Sequence, residues 1–210
     1  MSMGSRMRAP AASREIEATM PQFAEDIRRM TIAEFDEFVA GLADDREYEL
    51  VDGELAMMVN PTETHEQIAS NIGAPLKLAM DRRGCRTYQG GMRVQLDDDS
   101  SARDKYRPDV LVRCGPSENK TYVTDPIVIV EVLSPSTIDN DRGRKLRFYK
   151  KMPTARHIVL VYSDQMRVEH YAWMSDGWRL GVLTSPERVL TLDAVEFGIG
   201  LSQIYFDLLF

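Results

Sequence analysis

Two acidic residues stand where a carboxylate is expensive. Glu131 lies inside the run Pro126 to Leu133, P-I-V-I-V-E-V-L. That run is β-branched, otherwise uncharged and opened by a proline, which are the marks of a buried strand. Asp109 closes Tyr106-Arg107-Pro108-Asp109 and heads a second apolar run, V-L-V-R-C, from Val110 to Cys114. An ionised carboxylate among apolar neighbours is unfavourable unless a basic side chain or a metal ion compensates it. If the two runs pair antiparallel across a loop centred near Lys120, Asp109 falls directly opposite Glu131 on one face. Cβ atoms in such a pair are roughly 4.5–5.5 Å apart. Like charges that close need a shared proton or a shared cation. A divalent metal is the simplest reason to build the pair. A structural ion pair with an arginine, or a slipped register, is the alternative.

The rest of the chain must supply a frame for these two strands. It has 210 residues, 43% of them hydrophobic, and a net charge of −7. That suits one globular domain with a sizeable core, expected over residues 23–210, behind a small, polar, proline-containing tail at 1–22. No apolar run is long enough to span a bilayer, and the N-terminal residues lack the hydrophobic stretch of a secretory signal. Cys85 and Cys114 have no metal-ligand spacing. The expectation is a soluble cytoplasmic protein with both thiols free. The acidic balance argues against avid non-specific nucleic-acid binding, though a local basic patch remains compatible with it.

Local signals give the element order. Thr31 and Glu34 form a capping box before an amphipathic helix that Gly41 stops. Asp52-Gly53 joins two strand-like runs as a hairpin. A second helix, capped by Thr64, is expected from about His65 to Arg83, with Ile68, Ile72, Leu76 and Ala79 on one face and Pro75 inside it. A strand over Arg86–Leu96 is interrupted at Gly90-Gly91. After the two carboxylate strands, Arg142–Lys151 reads as a basic amphipathic helix with Leu146, Tyr149 and Met152 toward the core. Asp141 reads as its cap. The remainder is strand-rich: His157–Tyr162, Met166–Trp173, Trp178–Thr184 and Val189–Leu192. A short helix over Gln203–Leu209, capped by Ser202, ends the chain.

This order, with Pro-Asp heading one strand and a glutamate in the next, resembles the PD-(D/E)XK nuclease core. The segments Y-E-L-V-D-G-E-L, R-P-D-V-L-V, V-I-V-E-V-L-S-P-S-T and D-R-G-R-K-L-x-x-Y, with a helix starting near His65, look like the Uma-type restriction-endonuclease family. The resemblance runs from about Thr31 to Leu209. It implies an α/β fold: a restriction-endonuclease-like core with a mixed central sheet flanked by helices, plus an N-terminal helix and hairpin. It also implies a DNA substrate and a divalent ion, Mg²⁺ or Mn²⁺, held by Asp109, Glu131 and the Val132 carbonyl. Hard oxygen donors suit those ions better than zinc.

One departure matters. The nuclease motif has lysine two residues after the glutamate, and here that position is Leu133. The resemblance makes Lys145, on the following helix, the replacement catalytic lysine; otherwise it is one of several bases on a solvated face. Glu49 would complete the metal shell or hold Lys145, or simply sit at a strand edge in solvent. His65 would bind metal, contact phosphate or act as a base, unless it is only an exposed residue at a helix start. The basic helix is the natural contact for a phosphate backbone. The leading expectation is a metal-dependent endonuclease of DNA, and a homodimer is plausible because cutting both strands needs two sites, although no sequence feature proves it. Two rivals remain: a catalytically inactive nuclease-fold module that binds nucleic acid or a protein, and a glycosidase built on the paired acids.

Overall fold

A computed structural model describes residues 29–43, 46–58, 60–135, 138 and 141–208. The tail expected over 1–22 lies outside the described residues. The first helix, α1 (Ile32–Ala40), starts at a capping box in which Thr31 and Glu34 satisfy each other's backbone amides. Strands β1 (Tyr48–Val51) and β2 (Glu54–Met57) follow, joined by Asp52 and Gly53, both at positive φ. That is the two-residue turn whose twist matches the strands it joins. A Cβ at position 53 would also strike Arg29, whose neighbour Met30 donates its amide to the Gly53 carbonyl. Ile32 and Phe35 of α1 pack on Leu50 of this hairpin.

Helix α2 (Glu63–Asp81) begins earlier than the sequence suggests. Thr62, not Thr64, accepts the His65 amide at 3.3 Å, and Glu63 already lies inside the helix. The shift places His65 in the first turn. Strands β3 (Arg86–Gln89) and β4 (Arg93–Val94) are separated by Gly90-Gly91, as expected. β5 (Val110–Arg113), β6 (Tyr122–Val123) and β7 (Val128–Leu133) come next. A π-helical turn (Asp141–Lys145) then runs straight into α3 (Leu146–Tyr149). The chain ends with β8 (His157–Tyr162), β9 (Val168–Met174), β10 (Gly177–Leu183), β11 (Val189–Leu192), β12 (Phe197–Gly200) and α4 (Leu201–Ile204). The last helix starts after Gly200, one residue before the expected Ser202 cap could act.

The central sheet has six strands in the order β10-β9-β8-β7-β5-β3. Only β7 and β8 are parallel; the other neighbours are antiparallel. A parallel pair needs a crossover. Here the crossover carries Asp141, Lys145 and Tyr149 over the sheet. The middle strands are buried on both faces, which explains their unbroken apolar sequence. Even-numbered Val110, Val112, Val128, Val130 and Val132 pack with Ile68, Ile72 and Leu76 of α2. Odd-numbered Leu111, Ile129 and Leu133 pack with Leu146, Phe148 and Tyr149 on the other face. Glu131 belongs by parity to that second layer, under α3.

The cysteines overturn the expectation of free thiols. β3 pairs β5 with Arg86 opposite Arg113, so the next residues outward, Cys85 and Cys114, face each other with Cα atoms 4.0 Å apart and form a disulfide. The bond closes a loop spanning 29 residues of sequence separation. Cross-linking a loop of that length stabilises by roughly 3–4 kcal/mol through the unfolded chain. Cys85→Ala/Cys114→Ala, or reduction of the native protein, should lower the free energy of unfolding by about that amount. Chemical denaturation with and without reductant measures the loss. Titratable thiols in the non-reduced, denatured chain would disprove the bond. No described helix is long and apolar enough to cross a membrane.

Candidate active site

β5 and β7 pair with Val110 opposite Val130, Leu111 opposite Ile129 and Val112 opposite Val128. Extending this register by one residue sets Asp109 opposite Glu131, the arrangement the loop centre implies. Asp109 sits just before β5, where the ladder is ending, and its carboxylate takes over from backbone. Its Oδ2 accepts the Val132 amide at 2.6 Å. The same oxygen lies 3.3 Å from His65 Nε2, delivered by the first turn of α2. One carboxylate thus ties the end of β7 to the start of α2.

Glu131 is buried, at 3% exposure, with its Oε1 against two donors from the crossover. Lys145 Nζ is 3.3 Å away, and the Tyr149 hydroxyl makes a short hydrogen bond to the same oxygen. Lys145 is itself buried and lies between three carboxylates: Glu49 at 2.9 Å, Asp141 at 3.2 Å and Glu131. Glu49 comes from β1 and is held in place by the Arg107 amide, 2.8 Å from its Oε1. Asp141 and Lys145, four residues apart on the π-helical turn, share one face, and both project inward and pair with each other.

Asp141 is therefore not the solvent-facing cap that its sequence context suggests. It is a buried member of the cluster. Nor is the whole basic helix a solvated face, since Lys145 leaves it for the interior and Arg142 reaches the fully buried Glu169 at 3.2 Å. Tyr149 was legible only as a core residue; its spacing of four from Lys145 is the one sequence hint that it shares the lysine's target.

Electrostatics follow from burial. Desolvation raises the Glu131 carboxyl well above its usual range; Lys145 opposes this, while Asp141, Asp109 and Glu49 reinforce it. Glu49 is raised for the same first reason, against the pull of Lys145 and the Arg107 amide. Burial would lower Lys145, but its three carboxylate neighbours outweigh that and keep it charged. For His65, burial is likewise outweighed, here by the hydrogen bond and charge of Asp109, so the imidazole titrates above its usual value.

All five residues expected from the sequence, Glu49, His65, Asp109, Glu131 and Lys145, line one cavity of about 700 Å³, joined by Asp141 and the Val132 backbone. Six carboxylates, of Glu47, Glu49, Glu66, Asp109, Glu131 and Asp141, line it against Arg46, Arg107, Lys145 and His65, so the cavity holds surplus negative charge. Among the described residues no three His, Cys, Asp or Glu side chains form a ready-made metal cage. Mg²⁺ does not require one, because it commonly takes one or two carboxylates and fills its shell with water and phosphate oxygens. In the β7–β8 ladder the Leu133 carbonyl accepts from Ser163, so the Val132 peptide groups turn to the opposite side, toward Asp109. Two hard carboxylates and a carbonyl at a site short of positive charge fit a divalent ion.

Comparison with known proteins gives a family and a fold. Residues 32–203 match the Uma2 family, described as "Putative restriction endonuclease". Two Synechocystis proteins are similar. "Uncharacterized protein slr1290" is 28% identical over 166 residues, covering 78% of this chain and 85% of that one. "Uncharacterized protein sll1609" is 27% identical over 132 residues, covering 61% and 73%. The fold matches the crystal structure of a "putative nuclease belonging to DUF820" from Anabaena variabilis with a TM-score of 0.67 at 17% identity, covering 83% of this chain and 97% of that one. The chain belongs to the Uma2 family and has the mixed α/β fold of a restriction-endonuclease-like protein.

Proposed function

We propose that this protein is a metal-dependent endonuclease that hydrolyses phosphodiester bonds in DNA. One observation carries the reading: Asp109 and Glu131, on paired strands, open into the same cavity as a buried lysine. Family membership supports the same chemistry. Asp109, Glu131 and the Val132 carbonyl would hold Mg²⁺ or Mn²⁺. Such an ion polarises a scissile phosphate and lowers the pKa of an attacking water.

The chain's own residues have separable tasks. Lys145 keeps a fixed positive charge beside the carboxylates, where negative charge on a phosphoryl group would build up. It supplies from the crossover the charge that Leu133 cannot. Glu49 and Asp141 hold the Lys145 ammonium in place. Tyr149 orients Glu131. His65, whose hold on a proton Asp109 strengthens, offers a donor to a phosphate oxygen and steadies the Asp109 carboxylate.

Supercoiled plasmid and single-stranded DNA, each with Mg²⁺, Mn²⁺ or EDTA, test the proposal. Nicking or fragmentation should occur with either ion and stop in EDTA. Intact DNA under every metal condition would overturn it in favour of a non-catalytic binding module.

A further inference from the structure

Six basic residues fall between Arg142 and Lys151, and they do not share one role. Arg142 is spent on Glu169, Lys145 on the cavity, and Lys150 lies over the Tyr171 ring at 4.1 Å. Arg144, Arg147 and Lys151 remain exposed. Their spacing of three and four residues sets them on one side of the segment. They line a second hollow, of about 220 Å³, with Asp52, Asp104 and Tyr106.

Both acids in that hollow are already engaged. Asp52 pairs with Arg29 at 2.6 Å. Asp104 accepts the Asp52 amide and the Tyr106 hydroxyl, both at 2.9 Å. The side chains of Arg147 and Lys151 have no ion pair or hydrogen bond among the described residues, and Arg144 only approaches Glu54 at 4.0 Å. On a chain with net charge −7, three such cations at one hollow make a local positive patch.

Its position relative to the cavity is set by β1. Glu49 faces the cavity, and Asp52, three residues along the hairpin, borders the hollow. Three residues of strand span about 10 Å. A duplex rises about 3.4 Å per nucleotide along its axis, so an offset of this size is on the order of a few nucleotides.

We propose that Arg144, Arg147 and Lys151 form a second phosphate contact, which seats the DNA backbone a few nucleotides from the bond at the Asp109–Glu131 cavity. The proposal rests on the nuclease reading for its ligand. It does not depend on catalysis, and its test can be read without turnover. Fluorescence anisotropy of a labelled 20-base-pair duplex in EDTA, across a salt series, compares the full chain with Arg144→Gln/Arg147→Gln/Lys151→Gln. Each lost phosphate contact removes about 0.9 from the slope of log K against log salt. The triple variant should bind roughly a hundredfold more weakly at 0.1 M salt, with a slope shallower by about 2 to 3. Arg144→Lys/Arg147→Lys, which keeps the charge, should retain the slope. If the triple variant unfolds, Arg147→Gln and Lys151→Gln singly should each show about a third of the slope change.

A wild-type chain that binds DNA with a slope the triple variant shares would overturn this contact and leave the nuclease reading standing. Binding that the variant loses, in a protein that cuts nothing, would keep the contact and remove the nuclease. A wild-type chain that binds no DNA would end both.

Discussion

Replacing Lys145 with methionine should destabilise the protein by about 3–5 kcal/mol at pH 8, and by clearly less near pH 5. The size follows from what the lysine leaves behind. Glu49, Glu131 and Asp141 are all within salt-bridge distance of its ammonium and all buried. Removing one partner of a buried pair strands the others uncompensated, and here three carboxylates are stranded around one cation. The pH signature follows from the direction of the carboxyl shifts. Burial already raises Glu131 and Glu49 in the folded protein, and Lys145 is the main force holding them down. Without it both rise further. A group raised in the folded state contributes stability below its unfolded value and loses it as pH rises through the folded one. The variant's deficit is therefore full at pH 8 and shrinks as the carboxyls take up protons toward pH 5. Lys145 is charged in both states across this window, so it adds no slope of its own. Urea unfolding of wild type and variant at the two pH values reads the effect. An equal deficit at both would mean that lost packing, not lost charge, sets the cost. Cleavage by the variant should fall at least about a hundredfold, as expected when a preorganised charge is removed.

Much of this cluster was legible in the chain because two strands and one short loop fix their own register. The apolar runs around Asp109 and Glu131 are uninterrupted, so their loop centre near Lys120 predicts the pairing that β5 and β7 adopt. The Asp52-Gly53 hairpin and the Thr31 capping box are equally local, and both form. What escaped depends on geometry that no local pattern encodes. Asp141 follows a polar turn and precedes basic residues, which is how a helix cap reads. Its spacing of four from Lys145 sets both on one face, but only the packing of that face against the sheet makes it the inner one. The disulfide required knowing that β3 pairs β5, two elements separated by an irregular stretch. Once Arg86 is set opposite Arg113, Cys85 and Cys114 meet without further assumption. The start of α2 was misplaced by two residues because Thr62 and Thr64 are both competent caps. The choice matters, since it sets where His65 stands relative to Asp109.

Glu131→Gln should separate catalysis from folding more sharply than any other change. The amide is nearly isosteric, and its oxygen can still accept from Tyr149 and Lys145. Lys145 keeps Glu49 and Asp141 as counter-charges. One of the three buried carboxylates around Lys145 is removed. Stability should therefore stay within about 1 kcal/mol of wild type, and a small gain would be unsurprising because buried ionised groups are poor stabilisers. Metal-dependent cleavage should fall about a thousandfold, the scale seen when a group acting on developing charge is lost. A second readout needs no turnover. Ligands that bind only the folded state raise its melting temperature, so Mg²⁺ or Mn²⁺ should stabilise the wild type and leave the variant unmoved. The wild-type shift should also grow with pH. Burial holds a proton on Glu131 above its usual range, and a metal ion must displace that proton to use the carboxylate. At pH 6 more of the protein pays that cost than at pH 8, so the apparent metal affinity is lower at pH 6. A variant that cuts at the wild-type rate, or melts higher with metal just as the wild type does, would remove Glu131 from the metal site and with it the mechanism proposed here.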